Sequence, residues 1–330
     1  MGGVSKRWPE HLELRYDRRV SDDFLSLFVP GGVLSILADY ARKAPYPIDL
    51  QFRRDIKTDA QRATLYVGTE KVLDVHKDGA SAVRFAGHRT RSTASGFDEI
   101  GSASIALRDL HPTLDLLGSY LDRVIPPVAG GSAGVEGAVQ SAVSSYDSAE
   151  RSMLDREFIL QFRDDPTRRR VIGEAGADLL ALAKSAPVPG AAPERLGGEA
   201  DLIAVDGAGD LLAIEVKPRN VSTITWAPLQ VIVYARLLSR WLAADDAAVE
   251  ILRGVADQRR AIGLLTPEAA IGDEPAVRPL LAIQRGIPAR YRDRLAAVLQ
   301  HLAQNDVAEA ANLEVYEVDL AGRLTPLKAS

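Results

Sequence analysis

Residues 201–205 (Asp-Leu-Ile-Ala-Val) and 211–216 (Leu-Leu-Ala-Ile-Glu-Val) are two strand-length apolar runs on either side of the turn signal Gly207-Ala208-Gly209. Together they predict a β-hairpin. Downstream, apolar residues over 226–242 recur at helical spacing and predict a helix in which Gln230 and Tyr234, four apart, share one face. Upstream, Ser148 suits the cap of a helix that carries Glu150, Met153, Leu154, Glu157 and Leu160 and stops before Pro166. The C-terminal part adds a strand over 261–265, a helix over 289–303 and a strand over 313–318. The first part of the chain mixes strand-like runs at 11–16, 24–29 and 63–67 with helices near 33–43 and 114–124. Between the two parts, residues 127–145 are rich in Gly, Ala and Ser and read as a flexible linker. The expected organisation is an α+β accessory or recognition domain at 1–126, the linker at 127–145, and an α/β domain at 146–330, without internal repeats.

The hairpin carries charge where a strand normally has none. Pairing Asp206 with Asp210 across the turn sets Asp201 directly opposite Glu215, and opposed residues share a sheet face. Lys217 lies two residues beyond Glu215 and shares that face by the period-2 alternation of strand side chains. Two carboxylates and one ammonium therefore converge, an arrangement suited to divalent-metal hydrolysis. The same pattern also describes an exposed hairpin face with an ordinary ion pair. Two features weigh against that plainer reading. The chain has eight lysines against thirty-two arginines, so lysine is not its default base. The surrounding strand is also almost wholly apolar, as in a strand covered on both faces, where charges are costly unless paired or metal-bound.

Acid helix, Asp201, Glu215-x-Lys217 and Gln230-x-x-x-Tyr234, in this order, resemble the PD-(D/E)xK nuclease superfamily in its RecB-like branch. The likeness covers roughly residues 146–245, with Ala200 standing where the namesake pattern has proline. Glu157-x-x-Leu160-Gln161, with Pro166 nine residues after the glutamate, resembles the corresponding helix of Shedu-type defence nucleases and of mismatch endonuclease catalytic domains. The resemblance implies a restriction-endonuclease-like core, a central mixed sheet flanked by helices. It implies Mg²⁺ or Mn²⁺ held by Asp201, Glu215, the Val216 carbonyl and Glu157. Lys217 would serve the chemistry, and Gln230 and Tyr234 would brace the site or touch the nucleic-acid backbone. Glu150 is the second choice for the helical acid, with Glu199 and Glu174 behind it. The function so implied is phosphodiester hydrolysis, of DNA ahead of RNA, in bacterial genome defence or repair. A catalytically silent nuclease-fold module for binding or sensing nucleic acid is the alternative, and a structural α/β protein with an ion-paired hairpin is the third.

Composition bounds these readings. A length of 330 residues allows about two domains, and 46% hydrophobic with 26% charged residues is ordinary for a globular protein. No run approaches the ~20 apolar residues of a membrane span, and residues 1–9 lack a signal-peptide core, so no membrane partner is expected and the cytoplasm is the expected compartment. The absence of cysteine excludes disulfides, thiolate zinc sites and cysteine-ligated iron–sulphur clusters. A net charge of -5 provides no global pull toward nucleic acid, so contacts must be local. Arg168, Arg169 and Arg170 are the first candidates for phosphate contact, because a guanidinium grips phosphate through two parallel bonds. Arg285, Arg290, Arg292 and Arg294 form a second group with the character of a solvated face. Four histidines of the first part (His11, His76, His88, His111) match no metal spacing. The stretch from Gly87 to Ser92 reads as a nucleic-acid-contacting or simply exposed loop, and a homo-oligomer or protein partner through the first part remains open.

Overall fold

The computed structural model describes residues 8–44, 46–91, 97, 100–132, 136–146, 151–266 and 268–327. The chain forms two compact units, the first from residues 17–145 and 254–267, the second from residues 7–16, 146–253 and 268–330. After β1 (Leu14–Arg15), which belongs to the second unit, come α1 (Asp22–Leu25) and α2 (Ser35–Lys43). An antiparallel meander follows, in spatial order β2 (Ile48–Arg54), β3 (Gln61–Val67), β4 (Glu70–Asp78), β5 (Ala82–Gly87) and β6 (Ser104–Ala106). The long helix α3 (His111–Ser132) crosses it, placing Leu117, Tyr120, Leu121 and Val124 in one core with Leu65, Val75 and Phe85. The i, i+3, i+4, i+7 spacing of those four residues is the reason this stretch is an amphipathic helix. α4 (Glu136–Ser145) closes the unit.

In the second unit a six-stranded mixed sheet has the order β13 (Leu324–Pro326), β12 (Glu314–Val318), β11 (Val277–Gln284), β10 (Leu211–Lys217), β9 (Glu199–Asp206), β7 (Arg151–Ile159). β10, β11 and β12 run parallel, while β9, β7 and β13 are antiparallel to their neighbours. A short strand β8 (Gln161–Phe162) pairs with β1. The helices of this unit are α5 (Asp165–Ser185), α6 (Ala227–Ala244) and α8 (Ala289–Gln304), and α7 (Ala248–Ala261) begins in it and has its last turns in the first unit. α6 packs across β10 and β11, and α5 packs on α6. Every side chain of β10 is buried, the signature of a parallel strand covered on both faces.

Several expected elements take another form. The acid helix expected from 148 is β7: Arg151–Ile159 pairs antiparallel with β9, with a bulge between Met153 and Asp155. Its apolar residues fit helical spacing because the strand is buried on both faces, where period-2 alternation disappears. Tyr16 donates a 2.8 Å hydrogen bond to the buried Asp155, which fixes this charged strand in the interior. The described part of the 127–145 stretch is helical: α3 continues through Pro126 and Pro127 to Ser132, and α4 buries Gly137 and residues 139–144. Small residues here serve close approach rather than flexibility. A Cβ on Gly137 would lie 2.9 Å from the Thr69 amide, and Ser141 Oγ donates to the Gly68 carbonyl at 3.2 Å. The run 24–29 holds the end of α1 and the turn after it instead of a strand, with Phe24 and Phe28 packed edge to face. Of the expected 11–16 strand only Leu14–Arg15 pairs. Residues 261–265 end α7 and turn, and the strand paired with β10 is β11, despite Pro279.

Candidate active site

The site begins with the β9–β10 hairpin. Asp206 closes the turn: its amide donates to the Asp210 carbonyl at 2.9 Å, and its carboxylate accepts from the Ala208 and Asp210 amides at 2.8 and 2.9 Å. Gly209 supplies the left-handed residue, at φ +88°, where an added Cβ would also meet the Gly272 amide at 2.8 Å. This turn fixes the register Leu211↔Val205 through Ile214↔Leu202. One step further sets Asp201 against Glu215, in a position of the non-hydrogen-bonded type, where paired Cα atoms approach to about 4.5 Å. Here the backbone ladder gives way. The Val216 amide donates to Asp201 Oδ2 at 2.7 Å. A strand residue turns its amide and carbonyl to the same side, so the Val216 carbonyl also faces this end of β9.

Glu215 is 3% exposed, and its carboxyl lies against that of Asp201. Burial pushes it well above the usual carboxylate range and the Asp201 charge adds to the rise, while Lys217 opposes it. Lys217, two residues on and 8% exposed, sets its Nζ on Glu215 Oε1. From α6, Tyr234 reaches Glu215 with its hydroxyl, and its pKa is driven upward by burial first and by Glu215 and Asp201 next. The phenol therefore keeps its proton. Gly198 brings the chain before β9 down between α5 and α6: a Cβ there would lie 2.7 Å from Ile172 Cδ1.

Asp201, Glu215, Lys217 and Tyr234 are thus brought together, while other candidates stand apart. Gln230 is half-buried on α6 one turn before Tyr234, with no hydrogen bond to the carboxylates. Glu157 is not on a helix. It lies on β7 between Arg156, paired with Leu202, and Phe158, paired with Ala200, which sets it across β9's far side in line with Asp201. Its φ of +48° puts a kink in the strand, a conformation costing roughly 1–3 kcal/mol for a non-glycine residue. Glu150 falls outside the described residues. Among the described residues, no three His, Cys, Asp or Glu side chains are grouped so as to hold a metal ion. Arg168, Arg169 and Arg170 occupy the first turns of α5, capped by Asp164, and follow β8 rather than an acid helix. Arg168 is 4.0 Å from Glu199, and Arg170 is committed to Glu13 and Glu174, which Arg240 also binds. No motif pointed to the Tyr16–Asp155 pair or to the strand that holds it, since Tyr16 is remote in sequence.

The donor set suits a hard divalent cation. Two carboxylates in contact need one proton or one cation between them, and Mg²⁺ typically takes one or two protein carboxylates and keeps several waters. Stability against pH follows from the same contact. Between the ordinary carboxylate range and the raised value of Glu215, the folded chain holds a proton that the unfolded chain releases, so stability falls as pH rises through that window. Glu215→Gln mimics the protonated acid. In a chelator its thermal midpoint is expected to exceed the wild-type value at neutral pH, and the two should converge below the carboxylate range. A pH series of thermal melts checks this, and equal midpoints at neutral pH contradict it.

Comparison with protein-family models gives no match for this chain, and neither the curated proteins nor the solved structures give one.

Proposed function

We propose that the chain is a divalent-metal-dependent phosphodiesterase of the PD-(D/E)xK kind, acting on nucleic acid, with DNA as the first substrate to test. The contact between the Asp201 and Glu215 carboxylates, with Lys217 Nζ on Glu215, carries the reading. The mixed sheet, with the Glu-x-Lys strand parallel to its neighbour and α6 packed over both, supports a restriction-endonuclease-like core. Asp201, Glu215 and the Val216 carbonyl would hold Mg²⁺ or Mn²⁺, which when bound lowers the pKa of a water and offsets charge on the phosphorane oxygens. Glu157 is left out of the proposed shell, because among the described residues no third carboxylate is grouped with this pair so as to hold a metal ion.

Each remaining step belongs to a side chain. Lys217, fixed by its strand and by Glu215, presents an ammonium toward the charge that develops on phosphate oxygens. Tyr234, its phenol kept protonated by burial and by the Glu215 and Asp201 charges, would limit the orientations open to the Glu215 carboxyl. Asp201, anchored by the Val216 amide, keeps its second oxygen directed by the end of the hairpin. Arg168 and Arg169, exposed at the start of α5, supply cations suited to a phosphate backbone. The test is a substrate panel: single- and double-stranded DNA and RNA, each with Mg²⁺, Mn²⁺ or chelator. Metal-dependent cleavage is expected, and binding without cleavage under every condition would favour the silent-module reading.

A further inference from the structure

We infer that the first unit binds a small phosphate-bearing molecule of nucleotide size in the cavity beside His88. The cavity measures about 630 Å³, within the range of small-molecule sites, and its lining is mostly polar. Lys71 at the start of β4 and Arg89 and Arg91 after β5 contribute three cations, and Thr69 and Thr90 add hydroxyls. Among the described lining residues Glu70 is the one acid. Among the described residues none of the three cations is in an ion pair, unlike Arg42, Arg54 and Lys77 of the same unit, which are bound to Asp39, to Asp17 and Asp59, and to Asp23. Cations outside ion pairs among the described residues, gathered around one concavity rather than along a convex face, suit a compact polyanion.

The cavity wall is built from the interior outward. His88 is 6% exposed, and its Nδ1 accepts from the Thr90 and Arg91 amides, each at 3.2 Å. The ring proton therefore sits on Nε2, which faces Glu70 Oε2 at 3.4 Å and occupies the one opposing charge. The His88 amide donates to Tyr120 Oη at 2.7 Å, and that hydroxyl donates to the Val72 carbonyl at 2.7 Å. Burial pushes the Tyr120 phenol up to about 12, so it stays a donor. A buried imidazole thus fixes the loop that presents both guanidinium groups. On the opposite side the end of α3 passes close to Arg91, since a Cβ on Gly131 would lie 3.8 Å from its Nη2. Two arginines and a lysine converging on one volume provide the bidentate and point-charge contacts that phosphate groups select.

The experiment uses the full chain in chelator, which keeps divalent cations from the carboxylate site. Inorganic triphosphate and ATP are the probes, read by thermal shift and calorimetry. Wild type should be stabilised by at least one of them. Arg89→Glu with Arg91→Glu should weaken that binding by about tenfold or more, since each reversal replaces attraction with repulsion. Both side chains are exposed, so the unliganded double variant should melt with wild type; if it does not, Lys71→Glu provides the same readout from β4. Glu70→Gln should tighten binding. Asp201→Asn should bind as wild type does, which separates this site from the carboxylate pair. The inference is overturned if neither probe binds, if the charge reversals leave affinity unchanged, or if an oligonucleotide binds through Arg89 and Arg91 while triphosphate and ATP do not.

Discussion

Lys217→Met is expected to lower the single-turnover cleavage rate by roughly 10²–10³-fold, the cost of removing one preorganised charge from a transition state. Affinity for uncleaved DNA should change little, because one buried ammonium would add little beside the exposed arginines proposed to meet the phosphate backbone. The fold should tolerate the change. Glu215 already favours its neutral form through burial, so it does not become a stranded charge when its partner leaves. Rapid-quench cleavage and equilibrium binding of one labelled duplex separate the two quantities. A rate within about twofold of wild type would remove Lys217 from the chemistry, since a retained transition-state contact cannot be deleted without cost.

Trp241→Ala should destabilise the second unit by about 3–5 kcal/mol. The indole is fully buried on α6, packs edge-on to Tyr16 with ring centroids 5.5 Å apart, and donates to Asp245 at 3.3 Å. Removal empties a large volume and strips the buried Asp245 carboxylate of a donor. The same helix holds Tyr234 against Glu215, so loss of Trp241 also loosens the site. Chemical denaturation with a probe in the second unit measures the effect, and a loss below about 1 kcal/mol would show that the helix is held by something other than this packing.

The hairpin was the most legible element because its determinants are local. A short turn with Gly209 and Asp206 sets the register, and two residues of alternation carry it to Glu215 and Lys217. Tyr234 was legible through helix periodicity. β7 was not: a strand buried on both faces shows no alternation, and the Tyr16–Asp155 bond that accounts for one of its charges joins residues 139 apart. β11 escaped for a related reason. Its partners β10 and β12 lie far away in sequence, parallel pairing leaves no turn signal, and Pro279 argues locally against a central strand. The small residues of α4 were read as flexible because composition cannot distinguish mobility from close approach, which the Gly137–Thr69 and Ser141–Gly68 contacts reveal.

Wild type and Asp201→Asn, purified side by side and incubated with labelled DNA in Mg²⁺ or Mn²⁺, provide the most direct measurement. Wild type should cut only when the cation is present. Asp201→Asn should not cut, yet should bind the same DNA at least as tightly, because a carboxylate facing phosphate has been removed. Equal cutting by the two proteins would contradict the account, as would a wild type that cuts no DNA or RNA with either metal.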